Sequence, residues 1–329
     1  MDKKRAIFIS RRLDLNSFTP QNHLFTPVIC GSFFLPDKEK IGNFLRDDVG
    51  ENISQKRNAY CEFTVQYWVY KNIKLEVYGL CHYRRFLVFS PGPFERNAQN
   101  IINGGVLNEV TSKRFGLINN SLMNKLIEEY DLIVNEDAPV FHIPTPLGFK
   151  QTVRQHWEAF SNVFLAKESI YLLLEEIKLQ YPELHSISIE YLNSSRHRGY
   201  NCYIARKEVF FELNKFQFNI LFSLEDKITK KGLDKGFPRT MGYLGEILYG
   251  IFVYHKIKEG KIKIKQLPMV YFEYTEILNK HSLKDLIKIA LIYSKIKFED
   301  ISFFFLPKNS LRRNIIKKNI LFFIKELIY

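Results

Sequence analysis

Short apolar runs alternate with longer amphipathic stretches along most of the chain, the signature of strands and helices taking turns in an α/β fold. Residues 5–10 (RAIFIS) form the first strand-like run, and residues 23–36 (HLFTPVICGSFFLP) read as a second extended piece. A loop with two acids and a glycine, residues 45–54 (LRDDVGENIS), leads into residues 60–72 (YCEFTVQYWVYKN). There Tyr60, Thr64, Tyr67, Trp68 and Lys71 recur at helical spacing, with Ser54 or Asn58 as the cap. Residues 75–81 make another strand, followed by HYRR and a polar, glycine-containing loop over residues 90–105.

Further on, residues 122–130 read as helix, 130–137 (YDLIVNED) as a strand ending in acids, and 151–181 as a helical region broken near 160–164. Residues 198–210 (RGYNCYIARKEVF) are a strand running into a helix over 208–227. Residues 241–257 form a largely apolar helix, and residues 261–273 (KIKIKQLPMVYFE) alternate as one strand. The pattern predicts a mostly parallel sheet flanked by helices, which binds ligands at the carboxyl ends of its strands. The last fifty residues differ: Arg312, Arg313, Lys317, Lys318 and Lys325 lie among Ile315, Ile316, Leu321, Phe322, Phe323 and Ile324. This is the pattern of a basic amphipathic helical tail, suited to an anionic membrane surface or to packing on the domain. The reading therefore divides the chain into a domain over residues 1–275 and a tail over 276–329.

At the end of the strand over residues 75–81 stand His82, Tyr83, Arg84 and Arg85. Two guanidiniums at a strand end suit a pyrophosphate, since each fork pairs bidentately with phosphate oxygens and stays charged. His82 adds a hydrogen-bond donor or an acid for the leaving phosphate. The alternative is a surface cluster of salt bridges. Glu246, on an apolar helix beside Leu244, Ile247 and Leu248, needs a reason to be there. Either it pairs with Arg239, or it is the base that takes a proton from an acceptor hydroxyl. Asp47 and Asp48 are candidates for ribose or sugar hydroxyls, for a metal, or for a helix-entry turn; Asn52 is a turn residue or a ligand, and Glu62 is placed to orient the same loop.

Charge narrows the partners. The net charge of +13 and pI of about 9.4 favour polyanions or phosphorylated small molecules, yet no nucleic-acid-binding module is present. The four cysteines lack paired spacing and read as reduced thiols, without a structural zinc site. The N-terminus is too charged for a signal peptide, and no apolar run is long enough to span a membrane.

Four blocks, taken in order, resemble a bacterial family known as a domain of unknown function: LRDDVGENISQKRNAYCEFTVQYWVYKN, VYGLCHYRRF, YNCYIARKEVF and PRTMGYLGEIL. Members occur in capsule and O-antigen gene clusters and are regarded as glycosyltransferases. The resemblance implies a GT-A-like, Rossmann-type domain binding a nucleotide-sugar, UDP-linked in expectation. HYRR stands where most GT-A enzymes hold a metal with Asp-x-Asp, which implies metal-independent, inverting transfer with no cofactor. By the same resemblance Asn201 stands where GT-A enzymes often contact the donor sugar, and galactose is the first sugar to test; Asp47, Asp48, Asn52 and Arg239 are further candidates for the donor and its sugar. The implied acceptor is a lipid-linked oligosaccharide at the inner face of the cytoplasmic membrane. A non-catalytic scaffold or polyanion-binding module is the alternative.

Overall fold

The computed structural model describes residues 4–13, 16–36, 44–161, 163–278 and 282–302, with side chains through residue 297. Its strands are β1 (Arg5–Arg11), β2 (Phe25–Ile29), β3 (Leu45–Arg46), β4 (Val77–His82), β5 (Arg85–Leu87), β6 (Ile101–Val106), β7 (Leu132–Asn135), β8 (Ala138–Pro139), β9 (Arg196–His197), β10 (Tyr203–Arg206), β11 (Ile264–Leu267) and β12 (Met269–Tyr274). The helices are α1 (Arg57–Tyr60), α2 (Phe63–Asn72), α3 (Glu109–Arg114), α4 (Asn120–Glu129), α5 (Val153–Ala159), α6 (Glu168–Gln180), α7 (Pro182–Asn193), α8 (Lys207–Lys230), α9 (Thr240–Glu259) and α10 (Leu283–Ser302).

The main sheet runs β11-β7-β10-β4-β1-β2-β3. All its neighbours pair in parallel except β10, which lies antiparallel between β4 and β7. Both faces are covered, which is why β1 reads as an unbroken apolar run. Ala6 and Phe8, with Tyr78 and Leu80 of β4, join the core under α2 and α6–α9. Ile7 and Ile9, with Val77 and Cys81, face the other core, which holds Phe86, Met123 and Phe272. The period of two along each strand sorts these side chains.

A second set of strands branches from the end of β4. His82 pairs with Arg85 across a two-residue turn, so β4 and β5 form a hairpin. β5 then lies antiparallel to β12, which is parallel to β6 on its other edge. This branch departs from the sequence reading at two places. Residues 261–273 make two strands because Pro268 has no N–H for the ladder, and the chain changes partners there. Part of the supposed loop over residues 90–105 is β6, where Gly104 lets the Phe272 ring cross the strand: a Cβ there would stand 2.6 Å from it.

Helix α10 docks on this branch, with Lys288 Nζ donating to the Tyr274 hydroxyl at 2.6 Å, and leaves Leu283, Leu286, Ile287 and Leu291 exposed. The basic residues of the tail named above lie outside the described residues. Among the described residues, no helix is long and apolar enough to cross a membrane.

The acidic loop resolves into structure rather than ligand binding. Asp47 is fully buried and accepts from the Gly31 and Ser32 amides at 2.8 and 2.9 Å, and from the hydroxyls of Ser32, Ser54 and Thr64 at 2.6–2.8 Å. Five donors saturate the carboxylate, so it ties β2, β3 and α2 together instead of reaching a sugar. Asp48 lies 2.8 Å from the same Ser32 Oγ, competing with Asp47 for its single proton, and pairs with Arg46 at 3.3 Å. Asn52 closes a turn, donating to the Gly50 carbonyl at 2.8 Å and accepting from the Ser54 amide at 3.2 Å. These three residues are corrected from donor contacts to fold-forming groups. Asp47→Ala leaves several buried donors unmet and is expected to cost at least about 3 kcal/mol, read as a lower urea midpoint.

Candidate functional site

The hairpin His82-Tyr83-Arg84-Arg85 stands at the carboxyl end of β4, one strand from the end of β1, where Ser10 pairs with His82. Three tyrosines hold its arginines. The Arg84 guanidinium donates to the Tyr271 hydroxyl at 3.0 Å and lies 5.2 Å from the Tyr83 ring centre. Arg85 lies over the Tyr200 ring at 4.8 Å and near Tyr271 at 5.6 Å. The Nε atoms of both arginines are buried and have no hydrogen-bond partner. Among the described residues, neither guanidinium is paired with a carboxylate within 4.0 Å. Two fixed cations with unmet donors form a site for an anion.

His82 is not a third cation. Its Nδ1 accepts the Arg84 backbone N–H at 3.3 Å, which places the ring proton on Nε2. Burial, and then the charges of Arg85, Arg84 and Arg239, hold its pKa well below the usual imidazole value. Of the two roles the sequence offers His82, the neutral ring suits the donor and not the charged acid: it presents an N–H.

Glu246 meets this hairpin through Tyr200. The Tyr200 amide donates to Glu246 Oε2 at 3.3 Å, while its ring carries Arg85. Tyr200 takes a φ of 73° and Asn201 one of 44°, so two consecutive left-handed residues turn the chain sharply before β10. The Glu246 carboxyl is half-buried and its pKa is raised to about 7, first by burial and next by the Glu62 carboxylate. Arg85, the Tyr200 amide and Arg239 pull the other way.

Arg239 does not pair with Glu246. Its Nε donates to Cys61 Sγ at 3.0 Å and its guanidinium lies 5.4 Å from the Tyr243 ring centre, so it lines the same cleft without an ion pair to the carboxylate. Asn201 points inward. Its amide donates to Gln66, whose own amide donates to Asn214 at 3.0 Å and Gln217 at 2.7 Å, and Gln217 donates to the Gly245 carbonyl at 2.9 Å. The expected donor contact of Asn201 is thus replaced by a buried polar network that fixes the Tyr200 turn relative to α9.

The cleft brings together His82, Arg84, Arg85, Arg239 and Glu246, and leaves out Asp47, Asp48, Asn52 and Asn201. Tyr200 and Tyr271 went unnoticed in the sequence, since a tyrosine in an apolar strand or turn carries no signal of its own. The hairpin presents guanidinium donors rather than oxygen ligands, and among the described residues no group of three His, Cys, Asp or Glu side chains converges.

Residues 11–257 match the family described as "Domain of unknown function (DUF4422)". No curated protein matches the chain. Among solved structures, the apo form of the WbbM bifunctional glycosyltransferase is similar, with a TM-score of 0.73 and 25% identity over 85% of this chain. The match covers 48% of that structure, so the chain spans about half its length.

Proposed function

The chain belongs to the DUF4422 family, and from that premise we propose that it is a glycosyltransferase of bacterial surface-polysaccharide assembly. The observation that carries the reading is that one hairpin holds two arginines with unmet buried donors, one of which, Arg85, meets through Tyr200 a carboxyl with a pKa near neutrality. The likeness to WbbM supports it. In this reading Arg84 and Arg85 bind the diphosphate of a nucleotide-sugar and the His82 Nε2–H adds a hydrogen bond. Glu246 accepts the proton of the acceptor hydroxyl as that oxygen bonds to the anomeric carbon, while the bond to the diphosphate breaks on the opposite face. The configuration inverts, and the leaving charge is met by donors already in place rather than by a metal.

The donor is UDP-linked, with galactose, pyranose or furanose, the first sugar to try. The acceptor is a lipid-linked oligosaccharide, and the tail beyond residue 275 brings the domain to the inner face of the membrane. A scaffold with a degenerate site would have no need to bring Glu246 and the hairpin together. Nucleotide release from a panel of nucleotide-sugars, with and without EDTA, tests the proposal. Turnover of one donor, unchanged by EDTA, is expected. No turnover of any donor would refute the enzyme reading, and abolition by EDTA would refute the metal-free one.

A further inference from the structure

Helix α9 is pressed against the junction between α1 and α2, and this contact brings the residues on either side of Glu62 against the helix that carries Glu246. A Cβ on Gly245 would stand 2.4 Å from the Phe63 ring, and one on Gly242 would stand 3.3 Å from Cys61 Sγ. Only helix positions without side chains allow this approach. Cys61 breaks the helix with a φ of 53°, and Glu62 follows it as the residue capping α2. The Arg239 bond to Cys61 Sγ ties the same junction to the start of α9 from the other side. Glu62 is therefore held between two residues that touch the helix carrying Glu246.

We propose that Glu62 is a positioning residue for the base: a second carboxylate, carried by the helix junction that packs against the helix of Glu246, whose negative charge acts on that base. The inference rests on Glu246 being that base. The groups acting on Glu246 are Arg85 from the hairpin, Arg239 and Tyr243 at the start of α9, Cys61 and Glu62 from the helix junction, Tyr200 from the turn, and Tyr191 of α7. Across Gly199, whose Cβ would lie 3.1 Å from Glu246 Oε2 and 2.9 Å from His197 Nε2, stands His197. Burial pushes Tyr200 up to about 12 and Cys61 up to about 11, raises Tyr191 and Tyr243, and lowers His197 to about 3. All five are neutral near pH 7. Among the described residues, the charges that weigh most on Glu246 are then two arginines that draw its proton off and Glu62, which keeps it on.

The test is the pH dependence of donor turnover from pH 5 to 9 in Glu62→Gln and in Glu62→Ser, serine being a residue favoured at the N-terminal cap position that Glu62 occupies. With Glu62 present, activity rises through about pH 7 as Glu246 ionises. Without it, the rise is expected to move down by on the order of one pH unit. At pH 6 the ionised fraction would then go from roughly a tenth to roughly a half, so activity relative to the alkaline plateau increases about five-fold. Glu62→Asp should return the profile toward that of the parent. A loss that is equal at every pH in both neutral variants, with the rise unmoved, would overturn the inference alone. If the rise also survives Glu246→Gln, the base reading falls and takes this inference with it.

Discussion

Glu246→Gln is expected to lower transfer by roughly 10²–10⁴-fold, the usual contribution of a general base, while nucleoside diphosphate affinity changes little. Glutamine keeps the shape and still accepts the Tyr200 N–H, so the Tyr200 turn and its stack on Arg85 survive. The same variant has a stability signature with a definite sign. The folded-state pKa of Glu246 is raised from 4.5 to about 7, so its ionisation opposes folding. The stability it contributes is complete below about pH 4.5 and is lost as pH rises through about 7. Glu246→Gln should therefore melt higher than the parent at pH 8 and gain less, or nothing, at pH 5. An inactive variant whose thermal advantage does not depend on pH would show that the carboxyl is unperturbed and its role as base unsupported.

The arginine variants separate binding from chemistry. Each guanidinium has a buried Nε–H that no protein group meets, and a hydrogen bond between charged groups is worth about 1.5–3 kcal/mol. Arg84→Ala and Arg85→Ala should each weaken nucleoside diphosphate binding by roughly 10–100-fold, measured by calorimetry. Lysine should rescue little, because an ammonium neither forks onto two phosphate oxygens nor stacks flat on the tyrosine rings that hold these side chains. Of the two, Arg85→Ala should also change the pH profile, since Arg85 is one of the cations that draw the proton from Glu246. Unchanged affinity in both alanine variants would remove the diphosphate from this hairpin.

The strands, most helices and the location of HYRR at a strand end were legible because burial on both faces of a sheet imposes unbroken apolar runs. Glu246 was legible for a related reason: a carboxylate on an apolar helix is costly and stands out. What was not legible depended on partners far away in the chain. Asp47 looks like a ligand in the sequence because two adjacent acids in a loop look exposed. Its buried state comes from Gly31, Ser32, Ser54 and Thr64, which lie up to 17 residues away. The hairpin at Tyr83-Arg84 was missed because its second strand is only three residues long and takes its register from β12, nearly two hundred residues later. Arg239 failed as the partner of Glu246 because the helix break at Cys61 sets a sulfur acceptor within its reach.

The glycines of α9 carry a consequence for motion. In a helix interior a glycine costs about 1 kcal/mol relative to alanine, and α9 keeps three of them, each where another group presses against the backbone: Cys61, the Phe63 ring and the Tyr191 hydroxyl. A helix gripped at three points, two by the α1–α2 junction and one by α7, has little freedom to tilt or slide without collision. Glu246 is then a stationary reference against which the Tyr200 turn and the Arg85 side chain stacked on it are set.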